Sequence, residues 1–137
     1  MAKERIKEEK IPAARVVEPE VVKPEEIAKG IQDIFFDYDR FYIRDEAELI
    51  MGKNAEYLKE NTSSKIIIEG YCDERGTAEY NIALGESRAQ AAKEYLLKSG
   101  IAPTRISTIS YGKERPFCTE HNEDCWQANR RVHFVIE

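Results

Sequence analysis

The spacing of apolar and polar residues divides the chain into two parts. Through residues 1–29 no apolar period persists, about half of the positions are charged, and three prolines interrupt the segment. Such a segment cannot bury enough apolar surface to offset the entropy lost on ordering. We therefore expect residues 1–29 to be a flexible linker or tail and residues 30–137 to form a single folded domain.

Four short segments of the folded part have the composition of β-strands. The first alternates so that Ile34 and Phe36 share one face, and the second contains three consecutive β-branched isoleucines, which are typical of a strand covered on both faces. The four segments are GIQDIFF (30–36), KIIIEGYC (65–72), RISTISYG (105–112) and RRVHFVIE (130–137).

Two longer segments have helical spacing. From about residue 43 to Asn61, apolar residues recur every three or four positions. A second helix is predicted from about Ala78 to Lys98, with Thr77 as its N-cap and Gly100 just past its end. The segment 113–129 is expected to be a long polar loop. The resulting order, β-α-β-α-β-β, predicts an α+β fold with helices packed on one mixed sheet.

Composition narrows the classes of function. The 137-residue chain is 42% hydrophobic and 34% charged with a formal net charge of −5, which gives little electrostatic support for binding nucleic acid. No apolar run approaches the roughly 18 residues that a membrane-spanning helix needs. No signal peptide is visible at the start. The sequence therefore fits either a cytosolic protein or a mature segment whose targeting region precedes it.

Three cysteines are present, and two of them lie close together in PFCTEHNEDCW. Cys118 and Cys125 could form a disulfide, bind a metal ion with His121, or remain free thiols. We favour the disulfide, because a structural zinc site usually has four ligands at closer spacing. Cys72, at the end of an apolar strand, is expected to be a small buried thiol.

The candidate chemistry centres on Asp73 and Arg88. Asp73 follows the predicted second strand, at the end where open α/β sheets place ligand-contacting groups. Arg88 shares a helix face with Asn81 and Leu84, so a short turn after Asp73 could fold back and place both charges in one pocket. The same spacing also fits an ordinary surface ion pair, which contributes little to stability.

An enzyme is not indicated. Catalysis would need a nucleophile, a base or a metal beside Asp73, yet His121 and His133 both lie far from it in sequence. His133 alternates with core residues and is expected to be an ordinary strand residue. A hydrolase that uses Asp73 as its base is the alternative from another class. We expect no catalytic residues, no metal and no cofactor.

Three stretches resemble a known family: IEGYCDERGTAEYNIALGESRAQAAKEYL (68–96), ISYGKERPF (109–117) and NRRVHFVI (129–136). With FFDYD (35–39) upstream, the resemblance runs from about residue 31 to residue 137. By themselves FFDYD and NRR would indicate only a turn with aromatic anchors and the start of an edge strand. Together, in this order and spacing, they make the chain similar to the OmpA-like peptidoglycan-binding domain.

The resemblance implies that Asp73 and Arg88 hold the free end of diaminopimelate in the peptidoglycan stem peptide. That end carries an ammonium group and a carboxylate. Asp73 would accept hydrogen bonds from the ammonium group, and Arg88 would bind the carboxylate through two hydrogen bonds. Other family positions would shape the cleft or support it from the helix. The candidate ligand-binding residues are Asp73, Arg88, Phe36, Asp37, Thr77, Asn81, Leu84 and Arg130, with Asn129 and Arg131 beside the last.

The branch of the family that the chain resembles implies a non-catalytic tether between the outer membrane and the cell wall. Its partners would be peptidoglycan, proteins of the Tol system, especially the β-propeller protein TolB, and the outer membrane through a lipid anchor preceding residue 1. The place would be the periplasmic face of the outer membrane, where a disulfide is expected. An OmpA-like domain of a porin or motor stator is the alternative within the family. Tyr71 and Cys72 depart from the family pattern.

Overall fold

Four strands form one mixed sheet in residues 30–137, the part of the chain that the computed structural model describes. The predicted linker, residues 1–29, lies outside the described residues. Three α-helices and one short 3₁₀ turn, Pro103–Arg105, accompany the sheet within the described part. In chain order the elements are β1 Ile34–Phe35, α1 Asp45–Glu60, β2 Ile66–Tyr71, α2 Ala78–Lys98, β3 Ile106–Gly112, α3 Glu123–Asn129 and β4 Arg131–Ile136.

The sheet has the strand order β1-β4-β2-β3. Strands β2 and β3 run parallel, whereas β4 is antiparallel to both of its neighbours, β1 and β2. In the centre Ile68 pairs with Phe134 on one side and with Thr108 on the other. The last strand of the chain therefore inserts between the first two, and the predicted mixed sheet is confirmed.

Helices α1 and α2 supply the other half of the core. On α2, Ala89, Ala92 and Leu96 lie along one face and are fully buried. Burial of such a face stabilises the fold by about 25 cal/mol per Å² of apolar surface removed from water. The main core residues of α1 and of the sheet are Ala47, Met51, Ala55, Leu58, Ile34, Ile66, Ile68, Val132 and Phe134.

Helix α2 approaches β2 through two glycines. A Cβ atom added at Gly70 would lie 1.9 Å from the carbonyl oxygen of Gly85, and one added at Gly85 would lie 2.3 Å from Oγ of Ser110. The helix backbone therefore rests directly on the strand backbone. This contact sets the depth at which α2 is seated, and with it the height of every α2 side chain above the sheet.

The predicted ends of α2 are confirmed. Thr77 is its N-cap and accepts a hydrogen bond from the amide of Tyr80 at 3.1 Å. Gly100, just past the helix, has φ of +101°, the left-handed conformation that glycine adopts readily. The C-terminal end of α1 is capped by a side chain from outside the helix. The guanidinium of Arg105 donates to the carbonyl oxygens of Leu58, Asn61 and Ser64 at 2.8–2.9 Å.

Two predictions about elements were wrong. The segment 113–129 is not a continuous loop, because its last seven residues, Glu123–Asn129, form α3. Asn122 caps this helix by accepting from the amide of Cys125, and acidic residues fill its first turn, where they interact favourably with the helix dipole. Strand β1 is also shorter than predicted, with only Ile34–Phe35 paired.

The histidine of β4 is a strand residue, as predicted. His133 Nδ1 lies 2.8 Å from Asp33, and Arg131 makes a second ion pair with the same carboxylate at 3.0 Å. Burial lowers the pKa of His133, but the contact with Asp33 outweighs burial and raises it overall.

No helix in residues 30–137 is long and apolar enough to cross a membrane.

Cys118 and Cys125 form a disulfide, whereas Cys72 is a buried free thiol. The disulfide spans the segment that leads into α3. We expect protein purified without reductant to show one reactive thiol when denatured and three after reduction. Reduction is expected to lower the free energy of unfolding by about 2–3 kcal/mol, because the bridge restricts the unfolded chain. Three thiols before reduction, counted with a thiol reagent, would contradict the pairing.

Candidate functional site

Asp73 lies just beyond the carboxyl end of β2, and only 4% of its surface is exposed. Strand β2 lies between β4 and β3 in the sheet, so the residue that follows it is in the interior of the domain. The carboxylate is therefore largely removed from water. Its Oδ2 accepts from Nη2 of Arg75 at 2.8 Å and from Nη1 of Arg130 at 3.3 Å. Two cationic side chains therefore contact this one buried carboxylate.

Arg88 lies on α2 and is fully buried. Its guanidinium donates to three backbone carbonyl oxygens: Nε to Arg40 at 2.8 Å, Nη1 to Tyr71 at 3.0 Å and Nη2 to Asp37 at 3.1 Å. Among the described residues it forms no ion pair. The alternative of a surface ion pair between Asp73 and Arg88 is therefore wrong, because both are buried and each binds other groups.

Burial disfavours the charged form of Arg88 and lowers its pKa, although nearby groups including Asp73 partly offset this effect. An arginine nevertheless stays protonated in proteins. Carbonyl dipoles stabilise a buried cation without neutralising its charge. Arg88 therefore creates a positive potential in the interior that a carboxylate of a ligand could satisfy.

Asp73 and Arg88 line one pocket, which is one of the two arrangements that their spacing allowed. The pocket has a volume of about 40 Å³, which holds only a few water molecules. Its walls come from the loop after β1, the turn after β2 and the first turns of α2. The lining residues are Tyr38, Asp39, Cys72, Asp73, Arg75, Gly76, Tyr80, Asn81, Leu84 and Arg88.

Cys72 lies in the wall of this pocket as a neutral thiol. Its Sγ donates to the carbonyl oxygen of Asn81 at 3.2 Å, and burial raises its pKa to about 12. A thiol with so high a pKa forms almost no thiolate near neutral pH, and the thiolate is the nucleophilic form. The prediction of a small buried thiol is confirmed.

Asn81 and Leu84 are buried on the same face of α2 as Arg88. The side-chain amide of Asn81 donates to the carbonyl oxygens of Arg75 at 2.7 Å and of Thr77 at 2.9 Å. These bonds fold the turn after Asp73 back over the helix. Asn81 thus positions the turn, while the hydroxyl of Thr77 caps the helix rather than lining the pocket.

Phe36 and Asp37 act from beneath the pocket. Phe36 is fully buried, and its ring centroid lies 5.2 Å from the guanidinium carbon of Arg88. Asp37 contributes its backbone carbonyl to Arg88, whereas its carboxylate turns outward to Arg44 at 2.9 Å. Both residues position Arg88, and neither side chain lines the pocket.

The NRR segment has three separate roles. Arg130 is buried and joins Asp73 to Glu123 of α3, which it contacts at 2.7 Å. Asn129 accepts from two backbone amides, those of Phe117 and Cys118, and so holds the disulfide-bridged segment against the sheet. Arg131, the first residue of β4, pairs with Asp33 outside the pocket lining.

The residues that the sequence analysis missed include Arg75 of the pocket lining and the two aromatic residues around its side chain. The guanidinium of Arg75 lies between two rings, with its central carbon 4.0 Å from the centroid of Tyr38 and 4.1 Å from that of Trp126. Arg75 could have been noticed, since it stands two positions after Asp73. The contacts of Arg75 with Tyr38 and Trp126 could not have been predicted, because the three residues come from segments far apart in the sequence.

Residues 35–130 match the sequence model of the OmpA family, and the chain therefore belongs to the OmpA family. This membership agrees with the strand and helix order described above.

Named relatives refine the comparison. A peptidoglycan-associated lipoprotein of Mesorhizobium japonicum is 47% identical over 99 residues, which cover 72% of this chain and 59% of that protein. One from Pseudomonas aeruginosa is 43% identical over 104 residues, covering 76% and 61%. The chain thus spans about three fifths of the length of these curated relatives.

Solved structures share the fold. The crystal structure of the peptidoglycan-associated lipoprotein from Burkholderia pseudomallei superposes with a TM-score of 0.74 at 37% identity, covering 77% of this chain and 89% of that one. The C-terminal domain of MotB from Helicobacter pylori gives a TM-score of 0.73 at 21% identity, covering 79% and 85%. The second likeness concerns the fold alone.

Proposed function

We propose that this domain binds peptidoglycan non-covalently and is not an enzyme. Its ligand is the free end of diaminopimelate in the stem peptide, held between Asp73 and Arg88. The observation that carries the proposal is the buried guanidinium of Arg88, which donates hydrogen bonds to backbone carbonyls and lines the same pocket as the buried carboxylate of Asp73. A cation and an anion held apart in one pocket complement a zwitterion.

Each charged residue of the pocket complements one charged group of the ligand. Arginine presents a planar donor fork that matches a carboxylate through two parallel hydrogen bonds. Asp73 would accept the ammonium group, as the ammonium carries three donors. Cys72, a neutral thiol, and Leu84 supply an apolar wall beside the charges. The pocket offers no activated nucleophile, so binding without chemistry is the activity that these residues support.

The names of the relatives support a wider role. Peptidoglycan-associated lipoproteins are 43–47% identical to this chain. We infer that the native protein is of the same kind: lipid-anchored on the periplasmic face of the outer membrane, tethering it to the cell wall, and working with TolB and other proteins of the Tol system in envelope integrity and cell division.

A motor-stator or porin domain is the alternative, with the same ligand and a different anchor. The likeness to MotB rests on 21% identity and concerns the fold, whereas the lipoprotein relatives are about twice as similar in sequence. The native sequence preceding residue 1 distinguishes the two, because a lipid-modified cysteine is expected only for the lipoprotein.

The test is co-sedimentation with purified peptidoglycan of two types. The protein is expected to bind the diaminopimelate type at least tenfold more tightly than the lysine type, because lysine lacks the carboxylate that Arg88 binds. Asp73→Ala and Arg88→Ala should lose binding. Asp33→Ala is the matched control, since it removes a carboxylate that is paired with Arg131 outside the pocket lining.

Two outcomes would contradict the proposal. Equal binding to both types of peptidoglycan would remove the role of Arg88 as the carboxylate-binding group. Folded Asp73→Ala and Arg88→Ala variants that bind as well as the wild type would place the site elsewhere.

A further inference from the structure

The carboxylate of Asp73 is already paired with a cationic side chain of the protein, that of Arg75. Arg75 approaches it with two side-chain nitrogens, Nη2 to Oδ2 at 2.8 Å and Nε to Oδ1 at 3.3 Å. The backbone amide of Arg75 donates to Oδ1 at 2.9 Å, and Arg130 donates to Oδ2 at 3.3 Å. Two carboxylate oxygens have about four acceptor positions, so Asp73 is saturated.

An ammonium group can reach Asp73 only if one of these donors leaves. Arg130 is held from several directions, with 4% of its side chain exposed and further bonds to Phe36 and Glu123. Arg75 is 32% exposed, and the recorded bonds of its guanidinium all go to Asp73. Arg75 is therefore the donor that can be displaced at the lower cost.

The size of the pocket leads to the same residue. A volume of about 40 Å³ is too small for an amino-acid end, which carries an ammonium group, a carbon and a carboxylate. Arg75 belongs to the lining, and Tyr38 and Trp126 hold its guanidinium from both sides at 4.0 and 4.1 Å. Moving this one side chain both enlarges the pocket and frees an oxygen of Asp73.

We infer that Arg75 is a built-in competitor of the ligand, occupying the ammonium position at Asp73 until a ligand ammonium displaces it. The inference rests on the proposed function and deepens it. Arg75 then determines specificity, because a ligand without a free ammonium would have to expel Arg75 and leave Asp73 short of a cation. The Tyr38–Trp126 sandwich sets how strongly Arg75 competes, since cation–π contacts favour the closed position.

The test is titration calorimetry with a soluble stem tripeptide that ends in diaminopimelate with its side-chain amine free. Arg75→Gln is expected to bind this tripeptide about fivefold more tightly than the wild type, because a partly exposed ion pair with cation–π support no longer competes. Trp126→Leu, which removes one ring of the sandwich, should bind about two- to threefold more tightly. Trp126→Phe is the matched control, since it keeps a ring over Arg75, and should bind like the wild type.

The same tripeptide with the amine acetylated separates competition from a merely loosened pocket. It should bind neither the wild type nor Arg75→Gln. Unchanged or weaker binding of the free-amine tripeptide by Arg75→Gln would overturn the inference, and so would tight binding of the acetylated one. If Arg75→Gln does not fold, the comparison of Trp126→Leu with Trp126→Phe decides. No binding by the wild type would instead refute the proposed function.

Discussion

Replacing Arg88 by lysine is expected to weaken binding of a diaminopimelate-containing stem peptide by about 100-fold. Lysine keeps the positive charge but cannot form two parallel hydrogen bonds with a carboxylate. It also cannot reach the carbonyl oxygens of Arg40, Tyr71 and Asp37 together, so the remaining charge is no longer held in place. Charge-assisted hydrogen bonds contribute about 1.5–3 kcal/mol each, which makes a loss of this size reasonable.

The substitution should also reduce stability, and a control has to separate the two effects. Arg105→Lys is suited to this, because Arg105 likewise donates to three backbone carbonyls and does not line the pocket. Both variants are expected to lose roughly 1–3 kcal/mol in urea unfolding, because three backbone carbonyls lose hydrogen bonds from a charged donor. Only Arg88→Lys should lose binding in calorimetry. A folded Arg88→Lys variant with wild-type affinity would contradict the assigned role.

Replacing Gly70 by alanine is expected to cause the largest loss of stability in this protein. The new Cβ would lie 1.9 Å from the carbonyl oxygen of Gly85, a distance at which atoms cannot coexist. Both partners are backbone, so no side chain can turn aside, and α2 must lift from β2. Overpacking usually costs about 1–3 kcal/mol, and here we expect 4 kcal/mol or more, roughly enough to unfold a marginal domain.

Gly52→Ala is the matched control for that variant. Gly52 lies in α1, where a Cβ would meet only Oη of Tyr95 at an ordinary 3.7 Å. Alanine is the better helix former, so this variant should be more stable than the wild type by about 0.5–1 kcal/mol. Thermal unfolding followed by circular dichroism compares the two. A Gly70→Ala melting temperature close to that of the wild type would show that α2 and β2 are not in backbone contact.

Periodicity predicted most of the elements because each is determined by local physics. The three isoleucines of β2, the cap at Thr77 and the left-handed Gly100 are properties of a few neighbouring residues, and each was confirmed. The short helix α3 was not predicted, although Asn122, Glu123 and Asp124 are typical of the start of a helix. The surrounding polar composition concealed a helix of only seven residues.

The candidate site was predicted less completely. Helix spacing placed Asn81, Leu84 and Arg88 on one face correctly, since three residues within two turns of one helix are related by local geometry. The positions of Asp37 and Phe36 beneath Arg88, outside the pocket lining, required the packing of the β1 loop on α2. The stack around Arg75 likewise joins residues 38, 75 and 126, which no local pattern relates.

The sequence by itself determined where most of the strands and the long helices lie, because periodicity and capping act within a few turns of chain. Only the tertiary structure decided that Asp73 and Arg88 are both buried yet separate, and that Arg75 pairs with Asp73. Burial and the choice of charge partners depend on the insertion of β4 between β1 and β2 and on the backbone contact of Gly70 with Gly85. These contacts join distant segments, so they arise only when the whole chain has packed.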